Sequence, residues 1–201
     1  NTYKHLQDWG NLENILPQLK KHGLLSADSF LSFEIIVCNG QLTNLAKTAS
    51  VDNTGSQVLL AYWNNVPLHL KALPAVVEHY ARQLVRIKAA GEAESVLRLY
   101  LNSNWQESTV TLYSELDVMV DNNSLEIAES WLKDHQYNAH LLLALGKMSA
   151  SHTLWGKAKN YLEASISNNP IPENYSKLAR LLEEHMNEPV AAQGYYLQGL
   201  H

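Results

Sequence analysis

The 201-residue chain has little of what several protein classes require. Its single cysteine, Cys38, cannot form a disulfide within the chain, which excludes a disulfide-stabilised scaffold. The apolar runs are short, such as 141–145, whereas a membrane-spanning helix needs about 20 apolar residues, so we expect this segment to be soluble. No run of basic residues exceeds Lys20 and Lys21, and the net charge is −5. The basic surface of a nucleic-acid-binding protein is therefore missing, and we expect no nucleic-acid partner.

Glycine and proline are also sparse, with nine and six residues, and they fall mostly between segments of apolar periodicity. This distribution is typical of helix connectors. No low-complexity tract or Ser/Gly linker divides the chain, so the sequence predicts one domain over 1–201. Apolar residues at helical spacing predict an all-α protein of about twelve helices without strands. Gly40 is predicted to separate two of these helices, and Cys38, which follows an apolar run, is predicted to be buried.

Between residues 139 and 199, several characteristic residues recur at a spacing of 34. Ala158 is matched by Ala192, and Leu162 by Tyr196. This is the period of the tetratricopeptide repeat, and the unit resembles that consensus at Leu142, Leu145, Gly146, Trp155, Ala158, Leu162 and Pro170. The resemblance implies a tetratricopeptide-like α-α superhelix of antiparallel helix pairs. The clearest repeats are 74–104, 139–172 and 173–201.

Two small residues give the repeat a steric meaning. Gly146 and Ala158 lack bulk where the first and second helices of the unit are expected to cross, so that Leu162 can fill the space around them. Ala81 and Ala93 are twelve apart, as are Gly146 and Ala158. The same frame therefore extends back to the unit that begins at Pro74.

Proteins of this repeat class bind partners in a groove lined by first-helix residues that do not face the second helix. The frame places nine such residues: Glu78, Arg82, Arg86, His140, Leu143, Lys147, Asn174, Lys177 and Leu181. This lining is polar with a basic bias, which predicts an extended peptide or helix with acidic residues as partner. The alternative is that these charges only keep the chain soluble.

A more particular resemblance rests mainly on the block from Tyr62 to Ala81, which lies outside the 34-residue pattern. It is joined by Trp9 with Leu16 and Pro17, by Leu142 to Gly146 with Leu154 to Gly156, and by Tyr161 to Glu163. Together they are similar to HemY, a proteobacterial protein of heme biosynthesis. The resemblance implies two membrane-spanning helices upstream of Asn1 and a location at the cytoplasmic side of the bacterial inner membrane. It also implies a role late in protoheme IX synthesis, with other enzymes of that synthesis as candidate partners.

Searching the sequence for chemistry gives weak signals, and we predict a non-enzyme without cofactor or metal. No two of the nine histidines lie three or four residues apart. His79 beside Tyr80 is the best single candidate for a heme ligand, although the pattern favours a polar residue on the exposed flank of a helix. Ser151 and His152 are adjacent, but no third group that would orient the imidazole is evident.

The expected function is thus a non-catalytic protein-interaction scaffold of a membrane-anchored, HemY-like protein. One alternative is a carrier that holds porphyrin or heme near His79, Tyr80 or the tryptophans. Another is a generic repeat adaptor unrelated to heme. The apolar residues Tyr195, Tyr196, Leu197 and Leu200 near the end of the sequence predict either a further capping segment or a homodimer that buries them.

Overall fold

In the computed structural model, residues 9–23, 25–49, 54–119 and 123–200 are described, and within these ranges the chain is helical without strands. The thirteen α-helices confirm the prediction of an all-α protein with tetratricopeptide-like helix pairs. The chain divides into two compact units, one ending at Trp105 and the other beginning at Gln106. That residues 1–201 act as one domain stays a prediction. No helix in the described ranges is long and apolar enough to cross a membrane.

The helices of the first unit are α1 (Trp9–Lys21), α2 (Ala27–Thr48), α3 (Thr54–Asn65), α4 (Leu68–Lys71), α5 (Pro74–Arg86) and α6 (Ala90–Leu101). Those of the second unit are α7 (Glu107–Leu116), α8 (Ser124–Ser130), α9 (Leu132–His135), α10 (Ala139–Ser151), α11 (Trp155–Asn168), α12 (Pro172–His185) and α13 (Pro189–Gln198). A short 3-10 helix, Asp117–Met119, follows α7. Helices α5, α12 and α13 each begin with a proline, which suits a position where the N–H has no intrahelical partner.

The core of the first unit forms where α2 packs against α1, α3 and α5, and where α5 packs against α6. Leu42, Leu59 and Leu97 are fully buried there. The ring of Tyr80 is also buried and stacks on Trp63 with centroids 4.2 Å apart. The block that carries the HemY resemblance therefore builds much of this core. Cys38 is buried, as predicted.

Gly40 does not end a helix, which corrects the sequence-based prediction. Helix α2 runs unbroken from Ala27 to Thr48, with Gly40 in its interior. The ring of Trp9 on α1 lies so close to Gly40 that a Cβ at this position would collide with it. The glycine is thus a packing residue, since it opens space for an indole at the expense of some helix propensity.

In the second unit, the predicted crossing of small residues is confirmed. A Cβ added at Gly146 on α10 would lie 2.7 Å from Cγ of Leu162 on α11, so only glycine permits this approach. Ala158 is fully buried beside it. Leu178, Ala179 and Leu182 of α12 join Ala158 and Leu162 in one buried cluster, which α13 extends through Ala192.

The turn inside each clear helix pair has the same backbone conformation. Lys88, Thr153 and Asn187 all have positive φ values, between 55° and 65°, and each lies two residues after the last residue of a first helix. The amide of Leu154 then donates to the carbonyl of Ser149 at 2.9 Å, which is the bond expected of a Schellman motif. The recurring turn sends the second helix back along the first.

Candidate functional site

The nine predicted groove residues divide between the two units. In the first unit, Glu78, Arg82 and Arg86 lie on α5. Arg82 is exposed and its guanidinium donates to Glu78 at 3.4 Å, one helical turn away. Arg86 is exposed in the last turn of α5. Arg82 and Arg86 thus form an exposed basic flank of α5, whereas the side chain of Glu78 is only 12% exposed.

In the second unit, three of the predicted residues are buried, and their assignment to an open groove needs correction. Leu143 and Leu181 are only 5% and 3% exposed, and both belong to the cluster around Ala158 and Leu162. Asn174 is fully buried. The frame placed all three on an open face because it considered only the two helices of one repeat, whereas each first helix in this unit also packs against its neighbouring repeat.

Asn174 has a structural role of its own. Its Nδ2 donates to the carbonyl of Asn169 at 2.9 Å and to Oγ of Ser165 at 3.3 Å. Its Oδ1 accepts from the amide of Ile171 at 3.1 Å. Ser165 in turn donates to the carbonyl of Ala139 at 2.8 Å. The amide thereby joins the end of α11, the connector and the start of α12.

Three of the predicted residues do meet in one cavity. Lys147 of α10 and Lys177 and Leu181 of α12 line a space of about 200 Å³, which we call the basic cavity. Its complete lining is Gly146, Lys147, Ala150, Leu162, Lys177, Arg180, Leu181, Glu184 and His185. Sequence reasoning missed Arg180, Glu184 and His185. A further helical turn beyond Lys177 and Leu181 would have placed the last two on the same face.

The basic cavity carries an excess of positive charge, with three permanent cations against the single carboxylate of Glu184. Arg180 pairs with Glu184 at 3.2 Å, and Lys147 pairs with Glu173 at 3.3 Å. Lys177 is half-buried and has no ion pair among the residues that the structure describes. The excess of positive charge and the lack of an ion pair at Lys177 within this part of the chain favour an anionic group in the cavity.

An aromatic stack fixes one edge of this cavity. The imidazole of His185 lies flat on the indole of Trp155, with ring centroids 3.9 Å apart and an angle of 4°. His185 is also 3.9 Å from Glu184. His140, another predicted groove residue, lies outside the cavity and contacts Glu107 at 3.2 Å. The edge formed by α12 is thus held by packing, which preorganises it for a ligand.

The best histidine for a heme ligand has polar neighbours inside the first unit. Nε2 of His79 lies 2.8 Å from Oγ1 of Thr43 and 3.4 Å from the amide of Gln83. Burial lowers the pKa of His79, a hydrogen bond with the backbone of Asn39 acts in the opposite direction, and the charge of Arg82 lowers it again. The neighbouring Tyr80 is buried in its stack on Trp63, and burial raises its pKa to about 12. The imidazole of His79 is thus engaged by polar groups of Thr43, Gln83 and Asn39.

The structure supplies the third group that the sequence did not show beside Ser151 and His152. The buried carboxylate of Asp117 accepts from Ser151 at 2.7 Å and contacts Nε2 of His152 at 3.1 Å. Ser124 also donates to it, from the start of α8. Ser151 gives its proton to Asp117 or to the carbonyl of Met148 rather than to the imidazole. The arrangement ties the 3-10 helix to α8 and to the end of α10, and it does not activate a nucleophile.

Apolar side chains remain exposed on α13. Leu197, Leu200 and Tyr196 are all accessible, whereas Tyr195 is half-buried with its ring 6.4 Å from that of Tyr175. A homodimer through this face stays a prediction.

Comparison with known proteins supports the fold. No family profile matches the chain, and no curated protein matches it. Among solved structures, a crystal structure of MamA is 17% identical, with a TM-score of 0.51 over 72% of this chain and 88% of that one. MamA (41-end) from Desulfovibrio magneticus RS-1 is 11% identical, with a TM-score of 0.52 over 81% of this chain and 93% of that one. The shared feature is an all-helical, tetratricopeptide-like fold.

Proposed function

We propose that this chain is a non-catalytic protein-interaction domain, and that the basic cavity receives an acidic side chain of a partner protein. The observation that carries this proposal is the half-buried Lys177, which lines a cavity with excess positive charge. Repeat folds of this kind expose long helical surfaces on which partners dock. A carboxylate in the cavity would supply the counterion that Lys177 lacks among the described residues.

The rigid setting of the cavity supports the same assignment. Gly146 and Leu162 meet in a close crossing at its floor, and the Trp155 stack holds His185 at its edge. Little side-chain entropy is then lost when a partner binds, because the walls are already ordered.

The resemblance to HemY supports a cellular setting for this domain. In this proposal the domain belongs to a membrane-anchored protein and lies at the cytoplasmic side of a bacterial inner membrane. Its partners would be enzymes that act late in protoheme synthesis. The support is the block from Tyr62 to Ala81, in which Trp63 and Tyr80 also form the buried stack of the first unit.

Charge reversal of the cavity tests the interaction. The double variant Lys147→Glu, Lys177→Glu should reduce capture of a terminal heme-synthesis enzyme, or of an acidic peptide derived from it, by about tenfold or more. The matched control is Lys21→Glu, Lys133→Glu. Both of these lysines are exposed and lie outside the cavity, and the two double substitutions change the net charge of the chain by the same amount. Equal capture by the two double variants would show that the cavity does not bind the partner.

The choice of partner separates the heme-linked function from a generic adaptor. If acidic peptides bind through the basic cavity but no enzyme of heme synthesis does, the interaction domain stands and its assignment to heme synthesis is wrong. Adding protoporphyrin to the purified domain and recording the Soret band tests the carrier alternative separately.

A further inference from the structure

A second cavity lies in the first unit, between α1, α2 and the connection from α3 to α4. Its volume is about 320 Å³, at the lower end of the range of small-molecule pockets. The floor is made by Val37, Cys38, Val66 and Leu70, all of which are buried. Leu16 and Phe30 add partly buried apolar walls. We call this space the Glu13 pocket, because the carboxylate of Glu13 lines it beside this apolar surface.

The carboxylate of Glu13 is positioned by a hydrogen bond from a neighbouring tyrosine. The hydroxyl of Tyr62 donates to its Oε1 at 3.1 Å. The thiol of Cys38 lies within hydrogen-bonding reach of the same hydroxyl. Burial raises the pKa of Tyr62, and the nearby Cys38 and Glu13 raise it further, so the phenol keeps its proton and remains a donor to Glu13. The side chain is therefore positioned by a fixed contact.

Glu13 nevertheless lacks a cationic partner. No Lys, Arg or His in the described ranges pairs with it. Glu34, the other carboxylate of the pocket, contacts His69 at 3.2 Å and so has a partner of its own. Lys20 at the pocket does not reach Glu13, since its ammonium lies over the ring of Phe30, 5.7 Å from the centroid. That contact shows that the aromatic wall already attracts an ammonium group.

We propose that the Glu13 pocket binds a primary ammonium group on a short apolar stem, with Glu13 as its counterion. The ammonium makes a charge-assisted hydrogen bond to the free oxygen of Glu13. The stem packs on the buried floor, where Val66 and Leu70 offer apolar surface. The same chemistry comes from two sources, a free alkylamine or arylalkylamine and the lysine side chain of a peptide.

The first experiment compares two probes of the same shape on the full chain. 2-Phenylethylamine carries the ammonium, whereas 2-phenylethanol is neutral. In a titration followed by ¹H–¹⁵N NMR, the amine should give saturable shifts at the amides of Val37, Cys38 and Leu70. The affinity of the alcohol should be lower by about tenfold or more, because the alcohol cannot form the ion pair. Equal affinities, or no saturable shift at these amides with millimolar amine, would overturn the proposal.

The second experiment removes the counterion. Glu13→Gln keeps the shape of the side chain and should weaken amine binding about tenfold or more. The control is Asp28→Asn, which removes an exposed carboxylate at the start of α2, outside the pocket, and should leave binding unchanged. Tyr62→Phe deletes only the hydroxyl that positions Glu13 and should weaken binding by a smaller factor. Undiminished binding to a folded Glu13→Gln chain would exclude Glu13 as the counterion.

A third probe, Nα-acetyl-lysine amide, distinguishes the two sources. If it competes with 2-phenylethylamine at similar concentration, the pocket accepts a lysine side chain. If it binds much more weakly, the pocket selects a free amine. Both results depend on Glu13, and neither involves the basic cavity of the second unit, so the outcome is independent of the proposed protein interaction.

Discussion

The helix pairs α10–α11 and α12–α13 share the backbone geometry of their turns but differ in the side chains at matching positions. Thr153 and Asn187 are 34 residues apart and adopt the same positive φ, and Ala158 and Ala192 are both buried. Gly146, however, accommodates Leu162, whereas the residue 34 positions later is Arg180, which is exposed and lines the basic cavity. The repeat thus fixes the turn and the crossing, and individual positions decide whether a helix closes on its partner or presents a binding surface.

The largest expected difference between the two helix pairs is the loss of stability when an apolar side chain at matching positions is truncated. Leu162→Ala should lower the free energy of unfolding by about 2–5 kcal/mol, because it leaves a cavity in a fully packed cluster. Tyr196→Ala, at the matching position, should change it by less than about 1 kcal/mol, because Tyr196 is 38% exposed and lies outside the buried cluster. Urea unfolding followed by circular dichroism measures both. Similar losses for the two variants would mean that the second pair is as tightly packed as the first.

The next difference concerns Asn174 and its counterpart His140. Asn174→Ala should destabilise the chain by about 1–3 kcal/mol, since it removes the partners of Asn169 and Ile171 from a buried site. His140→Ala should cost less than about 1 kcal/mol, because its contact with Glu107 is at the surface. Hydrogen exchange of the first amides of α12 should accelerate only in the Asn174 variant. Unchanged exchange there would contradict the role of Asn174 in joining α11 to α12.

A single methyl group tests the close crossing. Gly146→Ala should lower stability by about 1–2 kcal/mol, because the added Cβ forces Leu162 away and the gain in helix propensity offsets only part of that cost. Arg180→Ala should have an effect within about 0.5 kcal/mol, since its pair with Glu184 is exposed. Thermal melting of the two variants gives the comparison. A melting temperature of the Gly146 variant at or above that of the parent would show that the crossing is looser than described.

The smallest effect is expected at the turns and should be stabilising. Thr153→Gly should raise stability by about 0.5–1 kcal/mol, because a β-branched residue at positive φ is strained. Asn187→Gly should raise it by less, since asparagine tolerates this conformation better. Chemical denaturation of both single variants measures the difference. A loss of stability in the Thr153 variant would indicate that the threonine side chain makes a stabilising contact.

The sequence predicts the two repeats of the second unit, α10–α11 and α12–α13, well because the residues that define them act locally. Proline at helix starts, the small residues at the crossing and the 34-residue period each act within one or two helices. The break predicted at Gly40 is wrong, because the residue that explains it, Trp9, lies 31 positions earlier on another helix. The spacing of apolar residues contains no signal for such a contact.

The candidate site was only partly predictable for the same reason. Lys147, Lys177 and Leu181 follow from the repeat frame and meet in the basic cavity. Leu143, Asn174 and Leu181 were assigned to an open face because the frame does not include the neighbouring repeat that covers them. Asp117 was missed because its contact with His152 joins residues 35 positions apart. The Glu13 pocket likewise depends on four helices whose proximity only the fold reveals.

The buried position of Cys38 makes the chain convenient for site-directed labelling. Burial raises the pKa of this thiol to about 11, above the usual value of about 8.5 for a free cysteine. At neutral pH a cysteine introduced on the surface would therefore hold a larger fraction of thiolate than Cys38, which is also shielded by burial. Maleimide dyes or spin labels could be attached at chosen surface positions without removing the native residue. Pairs of such labels would report distances within each unit and from one unit to the other in the unmodified fold.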